Sequence, residues 1–237
     1  MVPIAILAGG QATRLGPIAA RLPKSLVDIA GEPFIAHQLR LLQRQQIKQA
    51  VLCVGHLGEA IRGFVGDGRD FGIEVLYSFD GERLLGTGGA LRRALPLLGD
   101  EFMVLYGDTY LDIEYAVVLE AFSSSGAVAL MTVLRNEDRW DTSNVVFDGA
   151  HILRYDKRTH TRDMHYIDYG LGVLKRDVFA QRACNEIFDL SDIYGRLATE
   201  GKLAGYEVTQ RFYEIGTPAG LAATETFLRQ RSQTSCN

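Results

Sequence analysis

Cysteine is scarce in this chain: Cys53, Cys184 and Cys236 are the only three among 237 residues. They are scattered and odd in number, so neither a disulfide framework nor a metal-type spacing is visible, and a reducing cytoplasm is the expected compartment. Long apolar runs are also lacking. Nothing approaches the roughly 20 residues of a membrane-spanning helix, so no membrane partner is expected. The apolar start, residues 1–8, has no basic flank and runs straight into Gly9-Gly10, which reads as a buried first strand and not as a signal peptide. Positive charge is not in excess either. Lys and Arg number 25 against 29 Asp and Glu, a net charge of −4, and with a pI near 5.8 there is no electrostatic footprint for nucleic acid. An acidic protein that binds anions must gather its few cations in one place, so their positions matter more than their total. Repeats, low-complexity tracts and interdomain linkers are absent as well.

What remains is an ordinary globular composition with a mean hydropathy near zero and a regular alternation of elements. Short apolar runs at 4–8, 50–54, 74–78 and 102–106 read as strands buried on both faces. Helical spacing recurs at 33–46, through Phe34, Ile35, Leu39, Leu41 and Leu42, and helices are expected at 58–64 and at 88–95, the last ending at Pro96. After Asp108 the reading gives a helix at 115–123 and strands at 127–134, 145–147, 152–155, 167–174 and 203–207. A helix at 190–199 interrupts these strands, and a closing helix spans 218–231 ahead of a frayed polar tail, 232–237. Strands alternating with helices imply right-handed crossovers. The fold class is therefore α/β, a doubly wound, mostly parallel, Rossmann-like mixed sheet forming one domain over residues 1–231. The domain divides at about residue 110, into about 1–110 and about 111–231.

Chemistry concentrates where strands end. The first strand runs into Leu7-Ala8-Gly9-Gly10-Gln11-Ala12-Thr13-Arg14-Leu15, and a glycine pair at the carboxyl end of a first parallel strand lies where open α/β sheets bind ligands. Glycines let backbone N–H groups approach phosphate oxygens, and Arg14 adds a forked, permanent charge. Read alone, the glycines equally make a tight strand-to-helix turn. Ten residues on, Leu22-Pro23-Lys24-Ser25 sets a lysine after a proline-fixed turn. The spacing matches neither the phosphate-binding loop, G-x-x-x-x-G-K-[ST], nor the three-glycine dinucleotide fingerprint. The strand at 102–106 ends in Gly107-Asp108. A carboxylate there is costly unless it meets a cation and suits Mg²⁺, which takes one or two carboxylates plus substrate phosphates; capping of the next turn is the alternative.

Taken together, Leu7-Ala8-Gly9-Gly10, Thr13-Arg14-Leu15 and Pro23-Lys24 resemble the signature of sugar-1-phosphate nucleotidyltransferases, the makers of nucleotide sugars, with Ala12 where that family usually has glycine. Leu85-Gly86-Thr87-Gly88-Gly89-Ala90-Leu91 is similar to the family's base-recognition segment and looks closest to that of heptose or mannose 1-phosphate guanylyltransferases. Arg154-Tyr155-Asp156-Lys157-Arg158 resembles its acid-lysine segment, with Arg158 in place of the usual proline. Tyr166-Ile167-Asp168-Tyr169-Gly170-Leu171-Gly172 resembles the strand beneath the sugar, with Asp168 where Asn is frequent. Tyr213-Glu214-Ile215-Gly216-Thr217-Pro218 is similar to an acid-x-Gly-Thr-Pro segment whose acid helps hold the metal, with Glu214 in place of Asp; a helix-dipole partner for the following helix is the other reading of Glu214.

The resemblance covers residues 4 to about 220 and implies the following. Arg14, Lys24, Asp108 and Lys157 are the catalytic residues. Leu7, Ala8, Gly9, Gly10, Arg14, Lys24, Gly86, Thr87, Gly88 and Asp108 bind the nucleotide, and Gly107, Asp156, Lys157, Asp168 and Gly170 the sugar. Mg²⁺ is the cofactor, held by Asp108 and Glu214. The partners are a nucleoside triphosphate, GTP first, and a heptose or hexose 1-phosphate, and a homo-oligomer is compatible with the sequence. Uridylyl or thymidylyl transfer to a hexose 1-phosphate, a phosphorylated non-sugar acceptor, and a non-catalytic regulatory homologue are the competing readings.

Overall fold

A computed structural model describes residues 1–10 and 22–234 of the chain. Its first half winds β1 (Ile4–Leu7), α1 (Phe34–Arg44), β4 (Gln49–Val54), α2 (Gly58–Val65), β5 (Glu74–Phe79), α3 (Gly86–Leu98) and β6 (Glu101–Tyr106). Two short strands, β2 (Asp28–Ile29) and β3 (Glu32–Pro33), pair as a small hairpin before α1. The second half holds β7 (Thr109–Tyr110), α4 (Tyr115–Ser125), β8 (Ala129–Arg135), β9 (Val145–Phe147), β10 (Ile152–Tyr155), β11 (Tyr166–Lys175), α5 (Leu190–Thr199), β12 (Leu203–Val208), β13 (Tyr213–Glu214) and α6 (Pro218–Thr234).

One sheet runs through both halves. β1 pairs in parallel with β4 on one side and with β6 on the other, and β5 follows β4. β11 lies antiparallel between β6 and β8, and β12 joins β8 in parallel. The pair β9–β10 attaches at the start of β11, where Tyr166 meets Val145. Thus β1, β4, β5, β6, β8, β9 and β12 point one way and β10 and β11 the other: the sheet is mixed and mostly parallel. Strand alternation explains the layers. Ile4 and Ile6 of β1 face a core built with Ile35, Leu39 and Leu42 of α1, Ile61 of α2 and Val118 of α4. Ala5 faces the opposite core, with Leu91 and Leu95 of α3 and Ile193 and Leu197 of α5. The chain moves outward from β1 to β4 to β5, then returns through α3 to the far side of β1. The carboxyl ends of β1 and β6 therefore flank a topological switch point, where such sheets open a ligand crevice.

Several expectations need correction. The helix expected to stop at Pro96 runs on to Leu98. Proline forfeits one backbone hydrogen bond in a helix, but the extra turn buries Leu98 completely, and its angle suits the helix otherwise. The closing helix continues past Arg231 to Thr234, so residues 232–234 of the expected tail are helical; residues 235–237 lie outside the described part. The two-residue strands β2, β3, β7 and β13 were not legible, being too short to show a period of two.

Candidate active site

A cavity of about 310 Å³ opens at the switch point. The end of β1 supplies Leu7, Ala8, Gly9 and Gly10, and the end of β6 supplies Tyr106, Gly107 and Asp108. The two ends are knitted by Gly107 N–H donating to Leu7 O at 3.0 Å, while Ala8 N–H donates to Cys53 O at 2.9 Å. Lys24 and Ser25 enter from the short 3-10 turn Lys24–Leu26, which Pro23 precedes. Cys53, Asp80, Leu84, Gly86, Thr87 and Ala90 complete the wall on the side of β4, β5 and α3.

Lys24 Nζ donates to Asp108 Oδ2 at 2.8 Å, partly exposed to the cavity. Asp108 is then tied to a distant part of the chain by the ribbon of β7 and β13. Glu214 pairs with Thr109, and Ile215 N–H donates to Asp108 O at 3.0 Å. The Glu214 carboxylate accepts from Gly216 N–H, and from Thr217 Oγ1 at 2.7 Å, so it caps the start of α6. It also comes close to Lys24 and Asp108 around Gly216. A Cβ placed on Gly216 would lie 2.6 Å from Glu214 Oε2, 3.0 Å from Lys24 Nζ and 3.8 Å from Asp108 Oδ2. Three charged side chains thus converge on a spot that only glycine leaves clear.

The α3 side holds a different lesson. Gly86 has φ +73°, and a Cβ there would meet Phe188 O at 2.5 Å. At Gly88 a Cβ would press into the Phe188 ring, and at Gly89 onto Glu186 O at 2.4 Å. Gly88 lies outside the cavity lining; its missing side chain serves the packing of α3 against the segment that leads into α5. Gly86 and Thr87 do line the cavity. Thr87 Oγ1 accepts from Leu190 N–H at 2.8 Å, joining the segment to the first turn of α5.

Tyr106 links this cavity to the later strands. Lys157 Nζ donates to Tyr106 Oη at 3.3 Å and stands 5.0 Å from the Tyr106 ring centroid. Burial first, and the nearby Asp168, Asp189 and Asp108 charges next, push the Tyr106 phenol well above its usual value, so it stays protonated. Asp168 sits at an irregularity of β11, between its pairings with Val133 and the next at Gly172. Its two oxygens accept from Tyr155 Oη at 3.0 Å and from Gly170 N–H at 3.1 Å, which suits an ionised, acceptor-only carboxylate. Asp156 points elsewhere: it accepts from Arg158 and Thr159 N–H in its own turn, and those bonds hold its carboxyl below the usual range. Arg14, with residues 11–21, lies outside the described residues.

Sequence reasoning missed four residues. Asp80, at the end of β5, carries the same signal as Asp108, an acid closing a buried parallel strand. Ser25 is 3% exposed, and its hydroxyl has no hydrogen-bond partner among the described residues. Tyr106 was read only as the end of a strand. Asp189 caps α5 with a reciprocal capping box; burial acts to raise its carboxyl, but Ser191, the Lys157 charge and Thr87 together hold it lowered.

The strand order and this crevice define a doubly wound α/β protein with its cleft at the β1–β6 switch point. The chain belongs to the Nucleotidyl transferase family, whose model matches residues 4–230. It is 29% identical over 213 residues to a D-glycero-alpha-D-manno-heptose 1-phosphate guanylyltransferase of Campylobacter jejuni, covering 90% of this chain and 94% of that one. It is 28% identical over 224 residues to a UTP--glucose-1-phosphate uridylyltransferase of Synechocystis, of whose length it spans 58%. The solved structure of HddC from Yersinia pseudotuberculosis complexed with GMP-PN shares the fold, with a TM-score of 0.82 at 23% identity, over 96% of this chain and all of that one.

Proposed function

We propose that this chain transfers the nucleotidyl group of GTP to a heptose or hexose 1-phosphate, giving a nucleotide sugar and pyrophosphate. The observation that carries the transferase reading is the meeting of Lys24, Asp108 and Glu214 over Gly216 at the mouth of the crevice. GTP and heptose rest on the likeness to the Campylobacter guanylyltransferase, which extends over nearly the whole of both chains. The similar identity to the Synechocystis uridylyltransferase keeps UTP as the competing donor.

The chemistry is an in-line displacement. A phosphate oxygen of the sugar 1-phosphate forms a bond to the α-phosphorus, the bond from that phosphorus to the bridging oxygen breaks, and pyrophosphate leaves with the electron pair. A phosphate monoester has its second pKa near ~6, so the nucleophile is ionised at neutral pH without a general base. The difficulty is charge, and catalysis then rests on positioning and neutralisation. Lys24 exchanges Asp108 for triphosphate oxygens. Lys157, steadied by Tyr106, meets the sugar phosphate, Asp168 and Gly170 border the sugar, and Arg14 joins the triphosphate side. Asp108 and Glu214 are hard oxygen donors of the kind Mg²⁺ takes, and the ion held there would neutralise phosphate charge. The nucleotide half is taken as about 1–110 and the sugar half as about 111–231.

Two free thiols are described, Cys53 buried and Cys184 exposed, which supports a reducing, cytoplasmic setting. No described helix is long and apolar enough to cross a membrane. The deciding experiment is a pyrophosphate-release screen of GTP, UTP, dTTP, ATP and CTP against a panel of sugar 1-phosphates with Mg²⁺. GTP with a heptose or mannose 1-phosphate is expected to turn over fastest. Preference for UTP or dTTP selects the uridylyl or thymidylyl reading, and silence with every pair selects the non-catalytic one.

A further inference from the structure

α1 buries seven residues, and Gln38 alone among them is polar. It is 0% exposed. Both N–H bonds of its amide go to one turn: Nε2 donates to Tyr106 O at 3.0 Å and to Thr109 O at 2.8 Å. Its Oε1 has no hydrogen-bond partner among the described residues. Turning the amide over is no remedy, since that sets Oε1 against two carbonyl oxygens. A buried acceptor left unpaired is costly, and a leucine or methionine here would extend the apolar stripe of α1 without that cost. What keeps an amide at this position is what its donors hold.

They hold the turn that presents Asp108. Tyr106 ends β6 and Thr109 opens β7, so the amide bridges the two residues that enclose Gly107 and Asp108. Thr109 is also the residue that pairs with Glu214, and Ile215 N–H donates to Asp108 O at 3.0 Å. A fixed turn therefore fixes the ribbon that carries the second acid. Seven residues on, at the end of α1, Gln45 makes a similar pair of bonds farther along the chain. Its Nε2 donates to Ile113 O at 2.9 Å and its Oε1 accepts from Tyr115 N–H at 3.0 Å. Gln45 has both ends of its amide satisfied and holds the entry to α4, away from the cavity lining.

We infer that Gln38 is a positioning residue for the transfer reaction: its amide clamps the Tyr106–Thr109 turn, so that the Asp108 carboxylate stands ready for the metal ion and the triphosphate. The inference rests on the role proposed for Asp108 and adds a residue that touches no substrate. Preorganisation is the physical reason. A reacting group displaced by about 1 Å costs on the order of a hundred-fold in rate, and polar groups that hold a metal ligand in place typically contribute about ten- to hundred-fold. Without the amide, the Tyr106 and Thr109 carbonyls lose a donor in a place that water does not reach, and the turn shifts to find others.

Two variants separate positioning from stability. Gln38→Met keeps the volume and loses both donors; Gln45→Met does the same at the far end of the helix. The readouts are the unfolding midpoint, kcat, and the factor by which Mg²⁺ tightens triphosphate binding in calorimetry without sugar. The triphosphate is the one that the pyrophosphate-release screen selects. Both variants are expected to lower the midpoint. Gln38→Met is expected to lose about ten-fold or more in kcat and about ten-fold in the Mg²⁺ factor, and Gln45→Met to keep both. Wild-type values of both in Gln38→Met, or equal losses in Gln45→Met, overturn the inference. A wild type silent with every substrate pair, or Asp108→Asn with an undiminished Mg²⁺ factor, overturns instead the reading on which it rests. If Gln38→Met does not fold, Gln38→Asn carries the same expectations, its amide being one methylene too short to reach both carbonyls.

Discussion

Asp108 and Lys24 form a close ion pair at the cavity, 2.8 Å apart, and the proposed function gives each another partner once substrates bind. Asp108→Asn keeps the shape of the side chain and loses the charge. It is expected to lower kcat by orders of magnitude with little change in the thermal unfolding midpoint, and chelation of divalent ions is expected to silence the wild type reversibly. Near-normal turnover of Asp108→Asn in a steady-state assay would remove the metal-ligand role. Asp80 offers a second residue-scale expectation. Burial acts most strongly and holds its carboxyl above the usual value, against the Leu85 hydrogen bond and Arg93, which lower it. The unfolded chain therefore ionises first as pH rises, and the native state loses relative stability from the ordinary carboxylate pKa of about 3.9 up to the raised one. Below that window both states are protonated and nothing is lost. Asp80→Asn is expected to match wild-type stability near the acid end and to exceed it at neutral pH; a difference in unfolding midpoint that does not vary with pH would refute this.

At the scale of elements, the tight seat of α3 against residues 186–189 is the feature most open to test. Gly88 and Gly89 each donate a backbone N–H to Phe188 O, at 3.1 and 3.2 Å. A methyl group on Gly89 meets the Glu186 carbonyl, which is backbone and not the end of a flexible side chain. Overpacking of this kind costs about 1–3 kcal/mol. Gly89→Ala is expected to lower stability by that amount in chemical denaturation, and to weaken nucleotide binding because Gly86 and Thr87 move with the helix. A variant with wild-type stability would show that the segment yields easily. Of the glycines in this stretch, Gly86 lines the cavity while Gly88 and Gly89 serve packing against residues 186–189.

For the whole molecule the question is whether the two halves act separately. Lys24 reaches the crevice from the first half and Lys157 from the turn after β10, and Tyr106 stands between them, lining the cavity and touching Lys157. Losing a charge-assisted contact to phosphate costs about 1.5–3 kcal/mol, or roughly ten- to hundred-fold. Lys157→Ala is expected to raise KM for the sugar 1-phosphate or lower kcat by that factor, with triphosphate binding in the absence of sugar nearly unchanged. Lys24→Ala is expected to weaken the binary complex with the triphosphate. Equal loss of triphosphate affinity in both variants, measured by calorimetry, would mean that the halves share one site.

The sequence by itself determined the α/β class and the position of the crevice. Runs such as Ile4–Leu7 and Glu101–Tyr106 are buried on both faces, and helices with a single apolar stripe separate the strands. Burial writes that pattern locally, residue by residue. The glycine pair after β1 and the acid after β6 were legible for the same reason, since strand ends are where buried runs stop. Nothing local foretold that Glu214 would stand beside Asp108, because β7 and β13 are two residues each and owe their pairing to the packing of α6. Tyr110, Ile215 and Leu228 form that separate small core with Val27 and Ile29. Nor could the sequence say that Asp156 would fold into its own turn while Asp80 came to line the cavity, held by the Leu85 N–H. A carboxylate's partners are set by which backbone donors and cations the folded chain brings within 3 Å, and only the tertiary structure decides those distances.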